Sequence, residues 1–114
     1  MHPELTDAQY SQLSEFVQAL SERNSEILQA RFHLSDVIIA EVYELAAYYF
    51  DASAVLSIPP KINGACARPS IMVYDTGDGD LAIDCDLLEN EAPCEAYLHV
   101  RFEQDRLVYG YIKS

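Results

Sequence analysis

The apolar residues of this chain change their period once. From Tyr10 to Phe50 they recur at every third or fourth position, and from Ser70 onward they alternate with polar ones. A helix gathers every third or fourth side chain on one side, whereas a strand gathers every second. The switch therefore predicts helices first and a sheet afterwards. With 114 residues, half of them hydrophobic, the chain has material for one core and little room for two. The expected fold is α+β, a single domain over residues 1–114, with a helical part at 1–57 and an antiparallel sheet part at 66–114. A meander of about four strands would carry the helices on one face.

Thr6 is expected to cap the first helix, with Gln9 completing a capping box and Leu5 stapling onto Tyr10. Tyr10, Leu13, Phe16, Val17 and Leu20 form its apolar stripe. Ile27 and Leu28 stay in phase, but Asn24 falls on the stripe between them. One helix to about Phe32 and two helices meeting at Arg23–Asn24 both fit the pattern. Ser35 caps a further helix, about Asp36 to Asp51. Val37, Ile38, Ile39, Val42, Tyr43, Leu45, Tyr49 and Phe50 make it apolar almost all round. Such a helix is expected at the centre of the fold, against the inner face of the sheet.

Ile58 to Gly64 carries Pro-Pro and Asn-Gly, which is turn chemistry, and Arg68 before Pro69 is pushed toward an extended conformation. Strands are predicted at Ser70–Asp75, Asp80–Leu88, Cys94–Glu103 and Arg106–Ile112. Leu81, Ile83, Cys85, Leu87, Ala96, Leu98, Val100 and Phe102 would point inward. A hairpin tip at Gln104–Asp105 sets a register: Glu103 faces Arg106, Phe102 faces Leu107, Val100 faces Tyr109 and Leu98 faces Tyr111. Tyr109 and Tyr111 then point inward, with Val108 and Ile112 on the outer face.

Lys and Arg total 7 against 19 Asp and Glu, a formal charge of −12. Phosphate contacts need a basic face, so neither nucleic acid nor an anionic membrane surface is an expected direct partner. Asp75, Asp78, Asp80, Asp84, Asp86, Glu89, Glu91 and Glu95 follow one another with no Lys or Arg among them. Alternation places Asp80, Asp84 and Asp86 on the outer face, beside Tyr97, His99, Arg101 and Glu103 of the next strand. Together these residues form the candidate surface for a basic protein partner. Like charges two apart on a strand repel, and a cationic partner would relieve that cost. The plainer counterpart is a solvated sheet face.

Other patterns point to no reaction. Counted from Asp78, an EF-hand loop would need Asp or Asn at Ala82 and Gly at Ile83. Asp75-Thr76-Gly77, after Ile71 to Tyr74, resembles the Asp-Thr-Gly of aspartic proteases over three residues, and a turn after a strand accounts for it. Glu41 and Glu44 lie one helical turn apart without an accompanying Glu-x-x-His, on the polar strip the helix needs. His99 could be oriented by Asp84 or Asp86, but no nucleophile accompanies it. Tyr48 and Tyr97 are the tyrosines expected to be partly exposed. Cys66, Cys85 and Cys94 have no ligand spacing and read as three reduced thiols. Residues 1–7 lack a basic and an apolar leader region, and the run Val37–Phe50 is interrupted by Glu41 and Glu44. A cytoplasmic protein without catalytic residues, cofactor or metal is therefore expected.

Helices followed by a curved antiparallel sheet is, in element order, similar to the cone-shaped folds related to nuclear transport factor 2. That resemblance implies a scaffold used by small-molecule enzymes, binding modules and toxin-neutralising proteins. In size and charge the chain resembles immunity proteins for bacterial toxins and phage-encoded blockers of nucleic-acid enzymes. This implies a non-enzymatic inhibitor of a basic protein partner. The alternative is a small cone-fold enzyme or ligand-binding domain with a pocket between helix and sheet. The inward residues offer only tyrosine hydroxyls and Cys85 as polar groups, which suits a core better than an active site.

Overall fold

A computed structural model of the chain describes residues 5–51, 53–59 and 71–113. The Asn63-Gly64 turn, Cys66, the Arg68–Pro69 step and Ser70 lie outside the described residues. Three helices, α1 (Asp7–Glu22), α2 (Ser25–Ala30) and α3 (Asp36–Tyr49), precede five strands. These are β1 (Leu56–Ser57), β2 (Ile71–Asp75), β3 (Leu81–Glu89), β4 (Ala92–Glu103) and β5 (Arg106–Lys113). The fold is α+β, with the N-terminal helices packed on an antiparallel sheet.

Local chemistry sets the helix limits. The Gln9 N–H donates to the Thr6 hydroxyl at 3.1 Å, and the Thr6 N–H donates to the Gln9 side chain at 2.9 Å, closing the capping box. Two helices meet at Arg23–Asn24. Arg23 turns left-handed (φ 53°), its N–H reaches the Leu20 carbonyl at 3.2 Å, and the Asn24 N–H reaches that of Ala19 at 2.9 Å. This pair of bonds closes a helix in the Schellman manner. The Asn24 side chain then accepts from the Ile27 N–H at 3.2 Å and starts α2.

The sheet runs β1–β3–β4–β5, with β2 also paired to β3. Because β4 holds one edge of β3, the other edge is shared: β2 lies along Leu81–Cys85 and β1 along Leu88–Glu89. β1 falls in the part of the chain read as helical; two residues are too few to show a period. The β4–β5 register matches expectation at Glu103–Arg106, Phe102–Leu107 and Val100–Tyr109. Beyond that it shifts. Gly110 is left without a partner, so Leu98 pairs with Ile112 and Tyr111 pairs with His99. The extra residue inverts the alternation. Ile112 is therefore buried and Tyr111 is 39% exposed, the reverse of the sequence expectation. A Cβ on residue 110 would stand 2.7 Å from the His99 carbonyl oxygen, so the bulge requires glycine.

The core lies between α1 and the inner face. Leu13, Phe16, Val17 and Leu20 are sealed from solvent together with Ile83, Leu87, Leu98 and Val100. Phe16 meets Phe32 edge-on at 5.2 Å and stacks on Tyr109 at 5.9 Å. Polar side chains fasten α1 at one end: Gln9 donates to the Asp105 carboxylate at 2.9 Å and Gln12 to the Asp105 carbonyl at 2.7 Å. α1, not α3, thus takes the central place. α3 buries Ile39, Val42 and Ala46, and leaves Val37 and Tyr48 exposed. With α1 tied to the β4–β5 turn, α3 meets the sheet along β5 and otherwise packs on α2.

Candidate functional site

Alternation gives the sheet a second face, and among the described residues no helix lies over it. Its side chains form rows across the strands. One row is Met72, Asp84, His99 and Tyr111. The next is Tyr74, Ala82, Arg101 and Val108, and a third is Asp86, Tyr97 and Lys113. The first row is tightly joined. The His99 Nδ1–H donates to Asp84 Oδ1 at 2.7 Å, since a carboxylate can only accept, and the imidazole stacks on Tyr111 at 4.7 Å and 10°. Of the two acids expected beside His99, Asp84 is the partner. Tyr97 stands edge-on to Tyr111 at 6.4 Å, and Lys113 Nζ lies 5.2 Å from the centre of the Tyr111 ring. Partial desolvation, with Tyr97 and Asp84 beside it, raises the Tyr111 hydroxyl above the ordinary tyrosine value.

The acids do not form one patch. Asp75, at the end of β2, and Asp78, in the β2–β3 turn, are exposed, while Glu89 and Glu91 sit at the opposite end of β3. At the usual strand rise the two turns are roughly 30 Å apart. Asp75 accepts from the Gly77 N–H at 2.8 Å, and the Thr76 hydroxyl donates to Asp78. Hydrogen bonds from Thr76 and the Asp80 N–H hold the Asp78 carboxyl below the ordinary carboxylate value. Asp-Thr-Gly is thus spent on a turn. Glu89 accepts from the Asp51 N–H at 3.3 Å and Glu95 is exposed on β4. At the β2–β3 turn end, Arg101 lies 3.8 Å from Asp80 and 3.7 Å from Glu103. Of the three acids expected on the outer face, Asp80 and Asp84 thus have partners within the chain, Arg101 and His99. Asp86 departs from expectation: it is buried, next to a register shift between Asp86 and Leu88.

Met72, Tyr74 and Lys113 are not among the expected site residues, and Tyr111, expected to point inward, lies on this face instead. Met72 and Tyr74 are exposed on the outer face, while Ile71 and Val73 pack against the core. Alternation along β2 already implied as much. For Tyr111 the signal was Gly110, because a glycine inside a strand marks a bulge.

Little else in the described residues offers chemistry. An open cleft of about 490 Å³ separates α1 from the segment after α3 and is lined by Ser14, Gln18, Ser21 and Glu22 opposite Ser53 to Ser57. It lies away from His99. Cys85 and Cys94 are free, and burial pushes both thiols up, so neither is an activated thiolate. Among the described residues, no three His, Cys, Asp or Glu side chains group as metal ligands, and no helix is long and apolar enough to cross a membrane. No protein-family model, curated protein or solved structure matches the chain.

Proposed function

We propose that this chain is a non-enzymatic acidic binding protein that docks through its outer sheet face on a basic protein partner and blocks it, in the manner of toxin-immunity proteins and nuclease inhibitors. The observation that carries the reading is a sheet face that no helix covers among the described residues, with Met72, Tyr74 and Tyr111 exposed on it, in a chain of net charge −12. Exposed aromatic and methionine side chains are enriched in protein interfaces over the rest of the surface, and here they flank the polar middle strands of the face. The acids at the two turns add to the negative field of the chain, and such a field steers a cationic partner during encounter. On this reading the protein acts in the cytosol and contacts nucleic acid only through its partner.

The test is capture from a lysate of the source organism, identification of the bound protein, and assay of that protein's own activity with and without this chain. Asp86 is buried, so charge reversals belong at exposed Asp78 and Glu95. The expected result is a basic partner whose activity is suppressed. Association should be slower for the Asp78→Lys, Glu95→Lys double variant and should fall steeply with salt. A partner captured equally by both proteins, at rates indifferent to salt, would refute the reading.

A further inference from the structure

Resting on that reading, we infer that the corner between Tyr97 and Tyr111 is a recognition site for an arginine side chain of the partner, held in the free protein by the chain's own Lys113. The corner is assembled by the backbone. Without the bulge at Gly110, Tyr111 would point into the core; with it, the ring comes out beside His99 and stacks on the imidazole that Asp84 orients. Tyr97, standing at 74° to Tyr111, supplies a second wall. Asp84 on β3, paired in register with His99, puts a carboxylate one strand from Tyr97 and two strands from Tyr111. Aromatic faces backed by carboxylates attract a cation twice over, through the ring quadrupole and through charge.

A cation is already there. The Lys113 ammonium lies 5.2 Å from the centre of the Tyr111 ring, at the end of an exposed side chain. An ammonium is a strongly hydrated point charge on a flexible stem, so it holds such a place weakly. A guanidinium is planar and more weakly hydrated, so it lies flat on a ring with less loss of solvation, and it should displace the lysine. Exposed tyrosines also suit nucleobases, but Asp84, Asp86 and a net charge of −12 repel the phosphates that come with them.

The experiment titrates the intact chain calorimetrically, at low salt, with oligoarginine and oligolysine peptides of equal length and charge. Oligoarginine should bind more tightly, and Tyr111→Leu should cut its advantage about two- to fivefold, the range expected of one exposed cation–π contact. Lys113→Met and Arg106→Met each remove one positive charge, but only Lys113 stands on the ring. Lys113→Met should therefore tighten oligoarginine binding more than Arg106→Met does. A Tyr111→Leu variant that folds by circular dichroism yet keeps the full arginine advantage overturns the inference, as does equal tightening by the two charge removals. If both peptides bind but neither variant behaves as expected, the acidic docking surface stands and the arginine site falls. If neither peptide binds, both readings fall.

Discussion

Inside the sheet, Ile83, Leu98, Val100 and Phe102 are buried in one apolar cluster with Leu13, Phe16, Val17 and Leu20 of α1. Outside, Asp84, His99 and Arg101, one residue away along the same strands, and Tyr111 on β5 meet particular partners at particular distances. The inner face is held by removal of apolar area from water, which is non-directional and scales with the amount buried. The outer face is held by individual pairs, each of which contributes little when solvated. Volume governs the first and position the second. A fold can therefore alter its outer face freely while the inner face keeps it folded, which is the division of labour a binding protein needs.

The largest expected contrast comes from neighbours on β4. Leu98→Ala deletes a fully buried side chain and should cost about 2–5 kcal/mol, through lost transfer energy and the cavity left behind. Tyr97→Ala, on the other face, should change stability by less than about 1 kcal/mol. Urea unfolding of both variants measures the difference. Similar losses at the two positions would mean that the outer face also carries the fold, and the comparison would break.

Gly110→Ala should fall between them. The added Cβ meets the His99 carbonyl oxygen at 2.7 Å and the His99 ring at 2.8 Å, so backbone must move. Overpacking of this kind costs about 1–3 kcal/mol. The sharper readout is local: His99 and Tyr111 should lose the ring-current shifts of their stacked arrangement in proton NMR. An alanine that keeps both stability and stacking would show that the bulge does not depend on glycine.

The two faces also differ in how far the sequence revealed them. The inner residues of β3 and β4 were legible because alternation is a property of burial, and burial dominates there. Three pairs of the β4–β5 register followed from the Gln104–Asp105 tip, where both residues take positive φ (54° and 64°) as a two-residue hairpin turn requires. What failed were single-residue events. The bulge at Gly110 inverted Tyr111 and Ile112, and the burial of Asp86 broke its strand's alternation. α3 was misplaced for another reason: hydrophobicity says that a helix can be buried, but not which of two apolar helices reaches the sheet first. Here the side-chain bonds of Gln9 and Gln12 to Asp105 give that place to α1. Of the candidate site, the acids and His99 were legible as residue types. The pairing of His99 with Asp84 and Tyr111 depends on register and required the structure.

The smallest expected effect lies in a flaw of the inner face. Tyr109 stacks on Phe16, and its hydroxyl is buried without a hydrogen-bond partner among the described residues. Burial, with Glu41 nearby, pushes its ionisation from 10.0 up to about 12. A phenol must lose its proton to become charged, so a raised native value means the folded state keeps a proton that the unfolded state has released. Stability should therefore fall as pH rises from 10 toward 12, and not below that window. Tyr109→Phe removes both features. At neutral pH the variant should be more stable by about 1 kcal/mol, because an unsatisfied buried hydroxyl is gone and the ring contacts remain. Between pH 10 and 12 its unfolding midpoint should decline less than that of the wild type. Urea midpoints across that range measure both. A variant less stable at neutral pH would mean that the hydroxyl is paired after all, and that the inner face, like the outer one, holds a specific polar contact.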